Sequence, residues 1–329
     1  MSTKPSNRNL PVDTLRGLAC IMLVAYHVIG ISPESGLRLH EGVLKESNEI
    51  FAYIRMPLFT FLSGLVYGWR PFSGDSKTFL NGKIRRLIIP MLVVGTGFAI
   101  LQAVTPGTNY QLEDWRFLHL KPVAHYWFVE SLFIIFIGML MLEKYKLLDT
   151  RMKFAIIYLA SATGFVTNLG TIWFSLAGVF YLFPFFLAGL YCTRFPLDFK
   201  YSQVTGYIVI ITITLFLIFF SEHYISGRRS FLALLLGTGA CVGLLLSRSQ
   251  SQWLASIGYY SYSIYLFHVF FTAASRIALK GIGVTDIRIL FICGLLAGLS
   301  GPVLIETIAT KFNYSRILLL GKRGLTPAN

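Results

Sequence analysis

Long apolar runs separated by short polar bridges set the pattern of this chain. Ten stretches are apolar along nearly their whole length, near residues 15–33, 49–69, 84–104, 125–142, 153–169, 172–192, 204–221, 229–247, 256–278 and 287–310. A helix needs about 20 such residues to cross the roughly 30 Å of hydrocarbon in a bilayer. The pattern predicts an all-α, polytopic integral membrane protein, a bundle of about ten transmembrane helices. Pro57, Pro90, Pro184 and Pro302 fall inside predicted spans, where neighbouring helices must satisfy the carbonyls that a kink frees. Lys4 and Arg8 precede the first span much as in a signal peptide, but no small-residue cleavage site follows, so it reads as an uncleaved first helix. No predicted loop is long enough for a soluble domain. Residues 1–329 are therefore expected to form a single transmembrane domain, with its chemistry inside the bundle or at its mouths.

Composition supports the bilayer as solvent. Of 329 residues, 55% are hydrophobic and 13% charged, against about 25% charged in soluble domains. The net charge of +14 would suggest nucleic acid on a soluble protein, but here the basic residues sit in short loops. Counted by loop with the N-terminus inside, 19 Lys and Arg lie on the cytoplasmic side and 8 on the outer side, predicting an N-in, C-in topology. Cys20, Cys192, Cys241 and Cys293 form no CxxC pair and have no His at ligand spacing. They read as buried free thiols, and no metal is expected. Gly237, Gly239 and Gly243, with Gly294, Gly298 and Gly301, lie within apolar helices with no preceding strand. Close helix packing, not phosphate binding, is their expected use.

A charged side chain within a span costs about 2.5 kcal/mol or more, so each is a candidate for function. Those candidates are His27, Arg55, Glu130, His268, Arg276 and Glu306. The first four are predicted near the middle or outer half of the membrane, where they can converge on one polar cavity. Arg16 and His27 are eleven residues apart, which places them on one helix face about 16 Å from each other. Asp13, three residues before Arg16, can pair with it on that face. The face offers a cation for an anion at the cytoplasmic mouth and a general base deep inside. Lys83, Arg85 and Arg86 flank the third span and enlarge the cationic mouth, which suits a phosphate-rich ligand.

Several motifs resemble those of the acyltransferase-3 family of membrane acyltransferases. Asp13-Thr14-Leu15-Arg16-Gly17 followed by His27 is similar to that family's Arg-x10-His signature. Met56-Pro57-Leu58-Phe59 through Phe61-Leu62-Ser63-Gly64 resembles its second-helix motif, and Lys83 to Arg86 with Leu87 and Pro90 its basic entry to helix 3. His125-Tyr126-Trp127-Phe128 resembles its His-x-Trp-Phe motif, and Ser261-Tyr262-Ser263-Ile264-Tyr265-Leu266-Phe267-His268 its late Ser-Tyr-x-x-Tyr-Leu-x-His helix. The five occur in order.

The resemblance implies a multi-pass enzyme of a bacterial inner membrane. It would move an acyl group, usually acetyl, from cytosolic acyl-CoA to a hydroxyl of a cell-envelope polysaccharide or lipid-linked sugar on the outer side. Arg16, Lys83, Arg85 and Arg86 are the expected contacts to the acetyl-CoA donor. The family's Arg-x-Arg reads Lys-x-Arg-Arg here, which leaves open which two of the three contact the donor. His27 is the expected base, with Arg16 part of the same catalytic face. Glu130 or Asp13 would set its tautomer. Arg55, His125, Trp127, Tyr265 and His268 are the expected acceptor contacts, with Arg55 or His268 steadying the oxyanion. The alternatives are a proton-coupled transporter using His27, Glu130 and His268 as a relay, and a lipid-linked glycan flippase.

Overall fold

The computed structural model describes residues 9–30, 32, 34–105, 114–195, 202–224 and 228–324. Lys4 and Arg8 lie outside them. The first helix, α1 (Leu10–Ile29), begins earlier than hydropathy alone predicts. Asn9 accepts a hydrogen bond from the Val12 amide at 3.2 Å, and Pro11 stands in the first turn, where its missing N–H costs nothing. The helix ends at Ile29, before the predicted residue 33, on Gly30 at φ 111°. Beyond it lie α2 (Val43–Trp69), α3 (Ser76–Lys83) and a π-helical turn over Ile84–Ile88 that runs straight into α4 (Ile89–Val104). Asp75 starts α3 by accepting from the Lys77 and Thr78 amides, and Pro90 sits in the first turn of α4.

Two 3₁₀ turns, Trp115–Phe117 and Ala124–Tyr126, lead to α5 (Trp127–Lys144) and α6 (Arg151–Val166). A third, Trp173–Ser175, precedes α7 (Leu176–Arg194), which is followed by α8 (Ser202–Tyr224) and α9 (Phe231–Leu246). The predicted span 256–278 divides into α10 (Gln252–Tyr259) and α11 (Ser261–Gly281), broken at Tyr260. The last helices are α12 (Ile287–Ala309) and α13 (Asn313–Leu318). The chain is an all-α polytopic membrane protein. Each predicted stretch falls on helical structure, the one over 256–278 on two helices, and 8 of the helices among the described residues are long and apolar enough to cross a membrane. The 16-residue helices α6 and α9 reach about 24 Å, short of the hydrocarbon thickness.

Small residues let the helices meet backbone to backbone, the usual device where lipid offers no hydrophobic drive between helices. A Cβ on Gly64 of α2 would lie 1.9 Å from the Phe186 carbonyl of α7, and one on Gly189 of α7 would lie 1.9 Å from the Phe61 carbonyl of α2. On α12, Gly294, Gly298 and Gly301 receive Val28, Thr272 and Phe271, so these glycines serve packing as the sequence predicts. Through these crossings α1, α2, α7, α11 and α12 form the core around which the remaining elements are set.

Candidate active site

Three imidazoles from three elements meet inside the bundle. His27 comes from the last turn of α1, His125 from the 3₁₀ turn before α5, and His268 from α11. Ring centroids are 4.8 Å apart for His27 and His268, 5.0 Å for His125 and His268, and 5.6 Å for His27 and His125. Because α1 ends at Ile29, His27 lies in its last turn, close to the end where the helix finishes. His125 and His268 are buried and His27 is half-buried, the most exposed of the three. Among the described residues, no group of three or more His, Cys, Asp and Glu is arranged to hold a metal ion.

The surrounding shell fixes two of the rings. His268 Nδ1 lies 2.7 Å from the Ile264 carbonyl and 3.0 Å from that of Tyr265. With acceptors on both sides, Nδ1 is the donor and Nε2 keeps its lone pair. That Nε2 and both nitrogens of His125 are buried with no hydrogen-bond partner, which is costly unless a ligand or water completes them. The Tyr265 hydroxyl donates to the His125 carbonyl, and the Tyr126 hydroxyl donates to the Leu266 carbonyl at 2.8 Å. These reciprocal bonds lock the His125 turn against α11.

Arg55 stands beside this cluster. Its guanidinium carbon is 3.7 Å from the centroid of Tyr26, whose ring is 4.9 Å from that of His27. It donates to the Asn48 side-chain oxygen at 2.9 Å and to the Asn48 carbonyl at 3.2 Å, and Asn48 in turn donates to Gly30. No ion pair joins Arg55 to Glu130 among the described residues. Glu130 instead accepts from Ser175 Oγ at 2.5 Å, while Ser131 donates to the Ser175 carbonyl at 2.9 Å. Together they hold Phe174 and Ser175 at φ 53° and 51°, a conformation unfavourable to both residue types. Trp127 packs on α7, where a Cβ on Gly178 would lie 2.7 Å from its ring.

Toward the start of α1, Arg16 pairs with Asp13 at 3.0 Å, about three helical turns from His27. Neither carboxylate expected to orient an imidazole is therefore beside one; the His268 tautomer is set by backbone. Nearby, the Tyr259-to-Tyr262 join of α10 and α11, with Ser263, Glu306, Leu320 and Lys322, lines a cavity of about 220 Å³. Glu306 accepts from Ser263 and from Lys322, each at 2.5 Å. Lys83, at the end of α3, and the two arginines of the π turn diverge. Lys83 Nζ sits 3.3 Å from the centroid of Phe136, Arg85 donates to the Gly321 carbonyl at 2.6 Å, and Arg86 is exposed. At the opposite end, Arg276 donates to the Gly36 carbonyl at 2.8 Å.

A family model described as an acyltransferase domain, that of the acyltransferase-3 family, matches residues 9–307. The chain belongs to that family. No curated protein and no solved structure matches it. This membrane acyltransferase thus carries its His trio, Arg16 and the π turn within the matched region, and Lys322 and Gly321 just beyond it. Sequence reasoning missed Tyr26, since an aromatic side chain carries no signal in an apolar run, and Asn48, which lies in the polar stretch just before the predicted second span. It treated Arg228 and Arg229 only as topology charges, although two adjacent arginines on the side predicted to be poor in them were a usable clue.

Proposed function

We propose that the protein transfers an acetyl group from cytosolic acetyl-CoA to a hydroxyl of a cell-envelope glycan or lipid-linked sugar on the outer face of a bacterial inner membrane. Residues 1–329 act as one N-in, C-in transmembrane domain. The carrying observation is the trio of packed imidazoles around His27, on the same helix as Arg16, within an acyltransferase family.

In this reading Arg16, with Arg86 and its neighbours Lys83 and Arg85, holds the phosphates of CoA where α1 begins. Arg86 is the freest of the three, and Arg85 becomes available if the Gly321 carbonyl is displaced. The thioester arm rises along the α1 face toward His27. There the imidazole takes the proton of the sugar hydroxyl as its oxygen forms a bond to the thioester carbonyl carbon. The tetrahedral oxyanion then collapses, the C–S bond breaks, and the imidazolium returns the proton to the departing sulfur. Arg55 steadies the oxyanion; His268, whose Nδ1–H is spent on the Ile264 and Tyr265 carbonyls, has only an accepting Nε2 to offer and does not share that role. Trp127, Tyr265 and His125 shape the acceptor side.

Mass spectrometry of envelope glycans from the host with and without this chain tests the reading. One acetyl group per repeat should disappear when the chain is deleted, and an unchanged glycan would sink the proposal. On the donor side, Arg86→Gln should raise KM for acetyl-CoA about tenfold with little change in kcat, since it removes a charge-assisted phosphate contact remote from the reacting atoms. An unaltered donor KM would remove Arg86 from the clamp.

A further inference from the structure

A second cationic cluster occupies the end of the bundle where α1 finishes. Arg229, at the entry to α9, donates through Nη2 to the Ala177 carbonyl of α7 at 2.6 Å, and its guanidinium carbon is 5.4 Å from the centroid of Tyr181. Its Nη1 is buried with no hydrogen-bond partner. Arg228 beside it is exposed. The charges of Arg55, Arg228 and Arg229 all act on the Tyr181 hydroxyl; of the three, Arg229 faces that ring directly, while Arg55 faces the ring of Tyr26. No carboxylate pairs with any of them among the described residues. Glu49 is exposed and acts on Tyr53, as Arg228 does.

Three arginines that meet no paired carboxylate among the described residues repel one another, and a buried donor left unpaired costs further free energy. Both costs fall when a multiply charged oxyanion arrives. A planar guanidinium suits such a group through paired N–H···O bonds. A single carboxylate would neutralise one of the three charges, whereas a diphosphate matches the cluster more closely. Arg228 is exposed, Arg229 half-buried and Arg55 buried. Arg55 faces Tyr26, whose ring meets that of His27.

We propose that Arg55, Arg228 and Arg229 bind a phosphate group on the acceptor, so that the acceptor is a phosphate-bearing saccharide and not a neutral or uronic glycan. This rests on the reading that the acceptor approaches His27 from this end. The phosphate belongs either to a lipid-linked diphosphate or to a water-soluble sugar phosphate.

Calorimetry on the full chain in nanodiscs separates these cases, with inorganic pyrophosphate, farnesyl diphosphate and glucuronate as probes. Arg228→Gln and Arg229→Gln should each weaken binding of the two diphosphates about tenfold, as expected for loss of a charge-assisted bond. Lys280→Gln, at the exposed end of α11, should change neither. Tighter binding of farnesyl diphosphate than pyrophosphate identifies a lipid-linked source, and equal binding a soluble one. Diphosphate affinities that the arginine variants leave intact, or glucuronate bound as tightly as pyrophosphate, would overturn the proposal. Transfer of labelled acetyl from acetyl-CoA to the host's envelope glycan is measured in parallel. Its absence would count against the transferase reading alone, because the calorimetric result stands without it.

Discussion

His27→Ala is expected to lower kcat for acetyl transfer by about 10²–10⁴, the range that a positioned general base contributes. The imidazole is the only half-buried member of the trio; His268 is pinned through Nδ1 by two carbonyls of its own helix, and His125 is enclosed. Neither neighbour can take over without moving an element, since their ring centroids stand 4.8 Å and 5.6 Å from that of His27. Arg16 lies at the other end of the α1 face and should be undisturbed, so KM for acetyl-CoA should stay within about twofold if it reports donor binding. Labelled acetyl transfer by purified protein in proteoliposomes, compared with His27→Gln to preserve side-chain volume, measures the effect. If both variants retain a kcat within twofold of the parent, His27 is not the base.

Helix existence was legible because hydrocarbon imposes a length and an apolar character that short loops cannot imitate. Boundaries were less so. The start of α1 is set by Asn9 and Pro11, and the break at Tyr260 follows no proline. Depth along spans suggested that His27 and His268 could meet, but the ring of His125 reached them only because a 3₁₀ turn is tied to α11 by Tyr126 and Tyr265, 140 residues distant in sequence. The expectation that a carboxylate orients an imidazole had no way to foresee Ser175 claiming Glu130. The basic run before α4 likewise read as one patch. A π turn and the returning C-terminal segment, separated by 236 residues, divide it into a ring-capped Lys83, a tethered Arg85 and an exposed Arg86.

Gly17→Val should remove most folded protein. Gly17 and Gly258 form a reciprocal crossing between α1 and α10, where a Cβ on Gly17 would lie 1.9 Å from the Leu254 carbonyl oxygen and one on Gly258 would lie 2.0 Å from that of Asp13. Both obstacles are backbone atoms, so no rotamer relieves the overlap and the helices must separate. Overpacking ordinarily costs about 1–3 kcal/mol, and a forced backbone separation should exceed the upper end. Thermal unfolding in detergent, with recovery of monodisperse protein, reads the loss. Gly138→Ala, at a helical glycine with no atom within 4 Å of the added carbon, should stay within about 1 kcal/mol of the parent. The consequence reaches the chemistry because Arg16 precedes Gly17 directly and His27 lies on the same rod. Tilting α1 away from α10 moves the donor clamp and the imidazole together, so any Gly17→Val protein that folds should lose transfer as well as stability. A variant as stable as Gly138→Ala would mean that α1 and α10 do not cross here.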